Sequence, residues 1–445
     1  MKDTIKLSDH FTNGRLLRFT FPSIVMMVFT SIYGVVDGFF ISNYVNSTGF
    51  AAVNLILPFI MILSTVGFML GTGGSALVGK FLGEGKNDQA KRIFSLLVYT
   101  IIITGIIFTV VAEIFLRKVA IMLGATDAML EYCVEYGRIG LLSLTPFMLQ
   151  TSFQALMVTA EKPKLGLFVT VLAGCANMIL DFVFVGGLGW GVGGAAFATA
   201  ISECIGGLVP LVYFIMPNKS LLRLTAPEKD IKFLASASAN GASELMTNFS
   251  MSFVNMIYNI QLLRFIGEDG VAAYGVIMYV GFVFVAVFIG YSMGSAPLVS
   301  FNYGAANTSE LKNVFKKSIR IIAVFAVAML VAAELSSGLV SGIFVGYDED
   351  LMALTKHAFM LYSLSYLLAG FNIYASAFFT ALNNGLISAL ISFSRVLLFQ
   401  VASVLLLPLI LDTDGIWLSM LFAEIPSIII AAVCLRKYRN RYKYF

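Results

Sequence analysis

Residues 71–94 read GTGGSALVGKFLGEGKNDQAKRIF, and residues 292–315 read SMGSAPLVSFNYGAANTSELKNVF. At a spacing of 221 residues, Gly73 falls on Gly294, Leu77 on Leu298, Val78 on Val299, Gly83 on Gly304, Lys91 on Lys312 and Phe94 on Phe315, without a gap. The offset holds upstream, at Gly49/Gly270, Ala51/Ala272 and Ala52/Ala273, and downstream, at Glu113/Glu334 and Asp127/Asp348. It drifts by one or two residues where Leu142-Ser143-Leu144 meets Tyr362-Ser363-Leu364, then returns at Gly194/Gly415 and Glu203/Glu424. Apolar sequences share Leu and Ala by chance, but charged and glycine positions matched at one fixed offset indicate two homologous halves.

The composition gives those halves a solvent. The chain has 445 residues, 59% hydrophobic and 12% charged, with a mean hydropathy of +0.89, more apolar surface than one soluble fold hides. A bilayer core about 30 Å thick needs roughly 20 apolar residues per helix. Apolar runs predict twelve spans, beginning near Leu16, Phe50, Ile93, Tyr132, Leu165, Val192, Phe233, Val271, Val314, Leu351, Leu386 and Ile416. The N-terminal residues Asp3, Asp9 and His10 precede any apolar run, and no small-residue cleavage site follows a short apolar core, so the first helix is expected to stay. Cys133, Cys175, Cys204 and Cys434 lie in or beside apolar runs without close pairing and read as small buried hydrophobes.

Of 29 Lys and Arg, 23 fall in the N-terminal tail (Lys2, Lys6, Arg15, Arg18), the even-numbered connections and the C-terminal tail (Arg436 to Lys443). By the positive-inside rule both termini are cytoplasmic. Each half then has six spans in the same orientation, related by an axis along the membrane normal. The expected architecture is all-α and polytopic, with twelve transmembrane helices in two six-helix lobes around a central cleft. The N-lobe covers 1–216, a polar cytoplasmic linker 217–232, and the C-lobe 233–445.

Ionisable side chains at membrane depth are costly, so each is a functional candidate. At 1.5 Å per residue, Asp37 lies roughly 28 Å beyond Arg18, Asp181 roughly 25 Å beyond Lys164, and Thr199 roughly 15 Å inward from Gly189. All three reach the outer half of the N-lobe. Asn177 precedes Asp181 by four residues and shares its helix face. Two carboxylates, an amide and a hydroxyl suit Na⁺, or a carboxylate pair sharing a proton. The competing reading has these acids capped by Ser, Thr or backbone groups, fixing packing only. In the C-lobe, Glu244, Arg395 and Glu424 reach similar mid-membrane depth and can meet, with Arg395 taking one glutamate as a buried partner. Glu203 is the repeat mate of Glu424. Pro22, on the Asp37 helix, is a candidate hinge. Gly71-Thr72-Gly73-Gly74 lies in a helix whose mate reads Ser292-Met293-Gly294-Ser295 and is a packing surface rather than a phosphate cradle. With no nucleotide motif, and with His10 and His357 each alone, the chain reads as no enzyme and without a cofactor; uphill transport would draw on an ion gradient. A passive channel is the rival from another class, distinguished by non-saturable flux.

These residues resemble those of a known family, the multidrug and toxic compound extrusion (MATE) transporters, over nearly the whole chain. The carriers are Val36-Asp37-Gly38, Ala51-Ala52, Gly83-Glu84-Gly85-Lys86, Asn177-x-x-x-Asp181, Gly193-Gly194-Ala195-Ala196 with Thr199, and the shifted copy in the second half. The resemblance implies a two-lobed antiporter of the cytoplasmic membrane that expels amphipathic, often cationic drugs or metabolites while H⁺ or Na⁺ enters. It maps the family's N-lobe cation site onto Asp37, Asn177, Asp181 and Thr199, with no other metal implied. Some relatives carry an acid in span ten beside a Tyr; here that span reads Phe371-Asn372-Ile373-Tyr374, leaving Glu244, Arg395, Glu424 and Tyr374 as a candidate C-lobe polar site. The alternative within the same superfamily is a flippase for a lipid-linked oligosaccharide, which would want a basic cleft. The expected partners are a small-molecule substrate and membrane lipid, with no nucleic acid, for a monomer.

Overall fold

The computed structural model describes residues 5–445; Met1–Thr4, with Lys2 and Asp3, lie outside the described residues, as does the side chain of Ser47. Among the described residues every regular element is helical. The first repeat runs α1 (Asn13–Tyr44), α2 (Ser47–Gly83), α3 (Asn87–Met122), α4 (Asp127–Leu142), α5 (Leu144–Thr159), α6 (Pro163–Asp181) with a π turn over Phe182–Gly187, and α7 (Gly191–Ile215). The second runs α8 (Lys232–Phe265), α9 (Glu268–Gly304), α10 (Thr308–Val345), α11 (Glu349–Ser363), α12 (Tyr366–Ala381), α13 (Gly385–Phe393) with a π turn over Ser394–Phe399, α14 (Gln400–Leu406), and α15 (Pro408–Tyr442).

Nine of these stretches are long and apolar enough to cross a membrane unaided, and the bent pairs α4/α5 (54°) and α11/α12 (48°) make eleven. The twelfth is α8, as long as the others at 34 residues but interrupted by Ser236, Ser238, Asn240, Ser243, Glu244, Thr247 and Asn248. The helices begin up to two turns ahead of the apolar runs. Their first turns, such as Asn87-Asp88-Gln89 and Thr308-Ser309-Glu310, are polar. Side-chain caps set several starts: Asn46 accepts from the Gly49 amide at 2.7 Å, Asn307 from Glu310 at 3.1 Å and Asp348 from Leu351 at 3.0 Å. The fourth span is read from hydropathy as one run but is folded as two helices. Pro146, third in α5, has no N–H to offer the Leu142 carbonyl, and the chain turns at Ser143.

Contacts divide the chain into two compact units. One comprises Phe29–Gly241 and the segment ending at Leu7; the other comprises Ser8–Val28 and Ala242–Phe445. The divisions therefore fall inside α1 and α8, and the polar segment 217–232 belongs wholly to the first unit. Each unit includes the opening of the other repeat's first helix, Asn13–Val28 of α1 in one case and Lys232–Gly241 of α8 in the other.

Glycine makes room for those opening segments. A Cβ on Gly73 would lie 2.1 Å from the Ala237 carbonyl oxygen and 2.4 Å from the Gly241 nitrogen; one on Gly294 would lie 3.0 Å from Thr20 Cα. Thr20 and Gly241 are themselves 221 residues apart, so both units use the same joint. Within the first unit, α2 and α5 approach closely: Ser152 donates to the Gly67 carbonyl at 2.7 Å. Phe94, Phe153 and Phe214 pack as an aromatic trio. The four cysteines are free; Cys133 and Cys434 are buried, Cys175 and Cys204 half-buried.

A candidate cation site in the first unit

Three helices of the first unit bring the N-lobe candidates together. Asp37 comes from α1, Asn177 and Asp181 from one face of α6, and Thr199 from α7. The Asn177 amide donates to Thr199 Oγ1 at 3.5 Å, and the Thr199 hydroxyl donates to Asp37 Oδ1 at 3.5 Å. Asp181 is fully enclosed, and its carboxyl oxygens meet no amide or hydroxyl donor; the group within hydrogen-bonding reach is the carboxyl of Asp37. The Asn177 Oδ1 is also buried and unpartnered.

The local backbone explains the placement. Asp181 is the last α-helical residue before the π turn, where Leu188 N–H bonds to the Val183 carbonyl five residues back. Such turns insert one residue into the helical ladder and recur at functional sites. The chain then reverses through Gly189 and Gly191, with φ of +66° and +58°, left-handed values that glycine adopts without strain. Gly193 lies against Glu135, whose carboxylate a Cβ would strike at 2.3 Å. This tight α6–α7 return sets Thr199 opposite Asn177.

Chemically the cluster is rich in acceptors and poor in donors. An enclosed carboxylate without a donor is costly, and a proton or a small cation bound by hard oxygens removes that cost. Among the described residues no group of three or more His, Cys, Asp and Glu side chains is arranged to hold a metal ion. The oxygen set here, two carboxylates with an amide and a hydroxyl, has the chemistry to hold a monovalent cation or a proton.

Glu203, one turn beyond Thr199 on α7, faces Ser143 at the α4/α5 bend and lies in the field of Asp37. Tyr33 and Tyr136 border the same acids. Neither tyrosine stands out in the sequence, although Tyr33 precedes Asp37 by one helical turn.

The second unit is built otherwise. Arg395, second residue of the π turn Ser394–Phe399, donates from Nε and Nη2 to Glu424 Oε1, each at 2.7 Å. Asn372 donates to Glu424 Oε2 and, at 3.2 Å, to its backbone carbonyl. Glu424 is fully buried and both its oxygens are bonded. Glu244 is half-buried on α8 and forms no ion pair among the described residues. Tyr374 is two residues from Asn372 and points elsewhere, against Tyr291, Phe315 and Phe378, with its hydroxyl unpartnered. The position matching Asp37 is Tyr258, whose hydroxyl meets Ser419 Oγ at 2.6 Å and accepts from Gln400 at 3.4 Å, while its ring stacks on Tyr274 at 4.8 Å. The candidate C-lobe set is thus an ion pair with an amide, with Glu244 and Tyr374 outside it.

Twelve spans in two repeats, with a carboxylate cluster that meets no base among the described residues in the first and a neutralised Arg395–Glu424 pair in the second, are those of a polytopic membrane transporter. The family model described as MatE matches residues 22–183 and 245–405, once in each repeat, and the chain belongs to that family of transporters. It is 26% identical over 429 residues to the multidrug export protein MepA of Staphylococcus haemolyticus (strain JCSC1435), covering 96% of this chain and 94% of that one. Against MepA of Staphylococcus aureus (strain MSSA476) it is 26% identical over 359 residues, 80% of this chain and 78% of that one. Among solved structures, an outward-facing multidrug resistance MATE family transporter of the MOP superfamily superposes with a TM-score of 0.93 at 20% identity, both chains fully covered. A MOP superfamily transporter from Pyrococcus furiosus, whose binding pocket is described as of reverse polarity, gives 0.89 at 20% identity, covering 99% of this chain and 100% of that one. These structural likenesses establish the fold.

Proposed function

We propose that the protein is a cation-coupled antiporter of the cytoplasmic membrane, with both termini cytoplasmic, exporting amphipathic and often cationic drugs or metabolites. The observation that carries this reading is Asp181: enclosed, without a donor, and set beside Asp37 in a cluster completed by Asn177 and Thr199. Entry of H⁺ or Na⁺ fills the cluster and draws Asp37, and with it α1, toward α6 and α7. Coupling follows if the filled cluster favours one conformation over the other. The kinship with multidrug export proteins supports the substrate class, and the substrate is a small molecule carried by a monomer, with no nucleic acid and no cofactor involved.

A flippase for a lipid-linked oligosaccharide needs a free intramembrane base for phosphate. Arg395 is committed to Glu424, which favours the antiporter.

Dye efflux from proteoliposomes under separately imposed proton and sodium gradients tests the proposal. One gradient should drive efflux, and Asp37→Asn and Asp181→Asn should each abolish it. Gradient-driven efflux surviving in both variants would sink the mechanism.

A further inference from the structure

At the ends of α10 and α15 that their Lys and Arg mark as cytoplasmic, the second unit carries a cavity of about 510 Å³. Its apolar lining is Phe315, Ile319, Ala432, Leu435 and Phe445, whose ring packs on Phe315; its basic lining is Lys316, Arg320, Arg436 and Arg439. A neighbouring hollow shares Arg439 and Phe445 and adds Lys312 and Lys443. No acidic side chain lines either one. Among the described residues, none of these six bases is in an ion pair.

The arrangement is helical. Lys312, Lys316 and Arg320 recur every four residues on one face of α10, and Arg436 and Arg439 lie three residues apart on α15, with Lys443 just past its end. The two stripes flank one apolar-floored hollow. Both continue as exposed apolar ridges: Val324, Val327 and Val331 on α10, and Val433, Ile429 and Ile425 on α15. A basic head and apolar rails in one line are complementary to an amphiphile that carries negative charge.

The repeat supplies a control. In the first unit the positions matching Lys316, Arg320, Arg436 and Arg439 are Ser95, Tyr99, Ile215 and Asn218. There the polar segment is laid against that face: the Thr225 amide donates to Ser95 Oγ at 2.9 Å, the Glu228 amide to the Arg92 carbonyl at 3.1 Å, and Leu222 is fully buried. Orienting a span requires bases near its ends, not two facing stripes around one hollow. The bases of the second unit therefore do more than orient the chain.

We propose that this cavity binds the headgroup of an anionic phospholipid from the cytoplasmic leaflet. Lys316, Arg320, Arg436 and Arg439 hold its phosphate, for which guanidinium groups provide paired donors, and its acyl chains lie along the two apolar ridges.

The test uses the full chain, purified and delipidated in a non-ionic detergent, and titrated with phosphatidylglycerol, phosphatidylcholine or inorganic phosphate. The readouts are lipid retained in native mass spectrometry and the midpoint of thermal unfolding. Phosphatidylglycerol should be retained and raise the midpoint, while phosphatidylcholine and phosphate should do neither. The triple variant Arg320→Gln/Arg436→Gln/Arg439→Gln should unfold at the lipid-free midpoint of the parent and bind phosphatidylglycerol about a hundredfold more weakly. Removing bases of the first unit, Lys219→Gln/Arg223→Gln/Lys229→Gln, should leave binding intact. Arg436→Gln alone, at an exposed position, should weaken it about tenfold, which keeps the test decisive if the triple variant folds poorly. An equal response to phosphatidylcholine would mean unselective lipid coating and overturn the proposal. So would a response to phosphate alone, which would mean a soluble-anion site, or undiminished phosphatidylglycerol binding in the variants.

Discussion

Glu203 and Glu424 occupy matching positions in the last span of each repeat, yet they live in different chemistry. Glu424 is held by Arg395 and Asn372, so its loss leaves a buried guanidinium without its counter-charge. Glu424→Gln should cost about 3–5 kcal/mol, read as a lowered thermal midpoint in detergent micelles. The double variant Arg395→Met/Glu424→Met should recover most of that loss, because replacing a buried pair by packed apolar groups is often neutral; a midpoint as low as that of the single variant would contradict the role assigned to the pair. Glu203 has no base beside it, and Glu203→Gln should leave the midpoint within about 1 kcal/mol of the parent while altering the pH dependence of efflux through its neighbour Asp37. An unchanged profile would confine Glu203 to packing. The grouping of Asp37, Asn177, Asp181 and Thr199 was legible in the sequence because depth follows from counting residues along straight helices. The side chains bordering the acids were not: Tyr33, Tyr136 and Asn372 are ordinary apolar-run residues until neighbouring helices bring them to an acid.

The spans themselves were legible from hydropathy, and their irregularities were not. The bend at Ser143 and the π turns at Phe182–Gly187 and Ser394–Phe399 are changes in backbone hydrogen bonding that leave the apolar pattern intact. The first π turn nonetheless follows directly on Asp181, and the second contains Arg395. Removing one residue, Val183, should restore a regular ladder and rotate α7 about 100° relative to α6. That rotation turns Thr199 away from Asn177, so efflux should fail in a protein that still purifies as a monodisperse species. Close packing is as exacting. A Cβ on Gly241 would lie 1.9 Å from the Met69 carbonyl oxygen, so Gly241→Val should destabilise by about 1–3 kcal/mol, whereas the same change at Gly275, with nothing within 4 Å, should be far milder. Equal effects on the thermal midpoint at the two sites would show that this contact is not limiting.

At the scale of the whole chain, the 221-residue repeat foretold two halves of like topology, but not that the units would trade the openings of α1 and α8. No hydropathy signal distinguishes a half-helix that packs at home from one that packs in the other unit. The chemistry is likewise unshared: acids and an amide in the first unit, a neutralised pair and tyrosines in the second. The trade bears on ancestry and on assembly. A six-span precursor, before duplication, would have completed itself only by exchanging its leading half-helix with a second copy, a reciprocal swap of the kind that makes dimers from identical chains. Fusion of the two genes would have turned a partnership between molecules into an obligation within one. The mature chain should still carry the mark of that origin: fragments 1–216 and 217–445 produced together should copurify as a complex, and each produced alone should be degraded. A first fragment that is stable without the second would mean that the borrowed segment Lys232–Gly241 is dispensable, and that the halves were once self-sufficient.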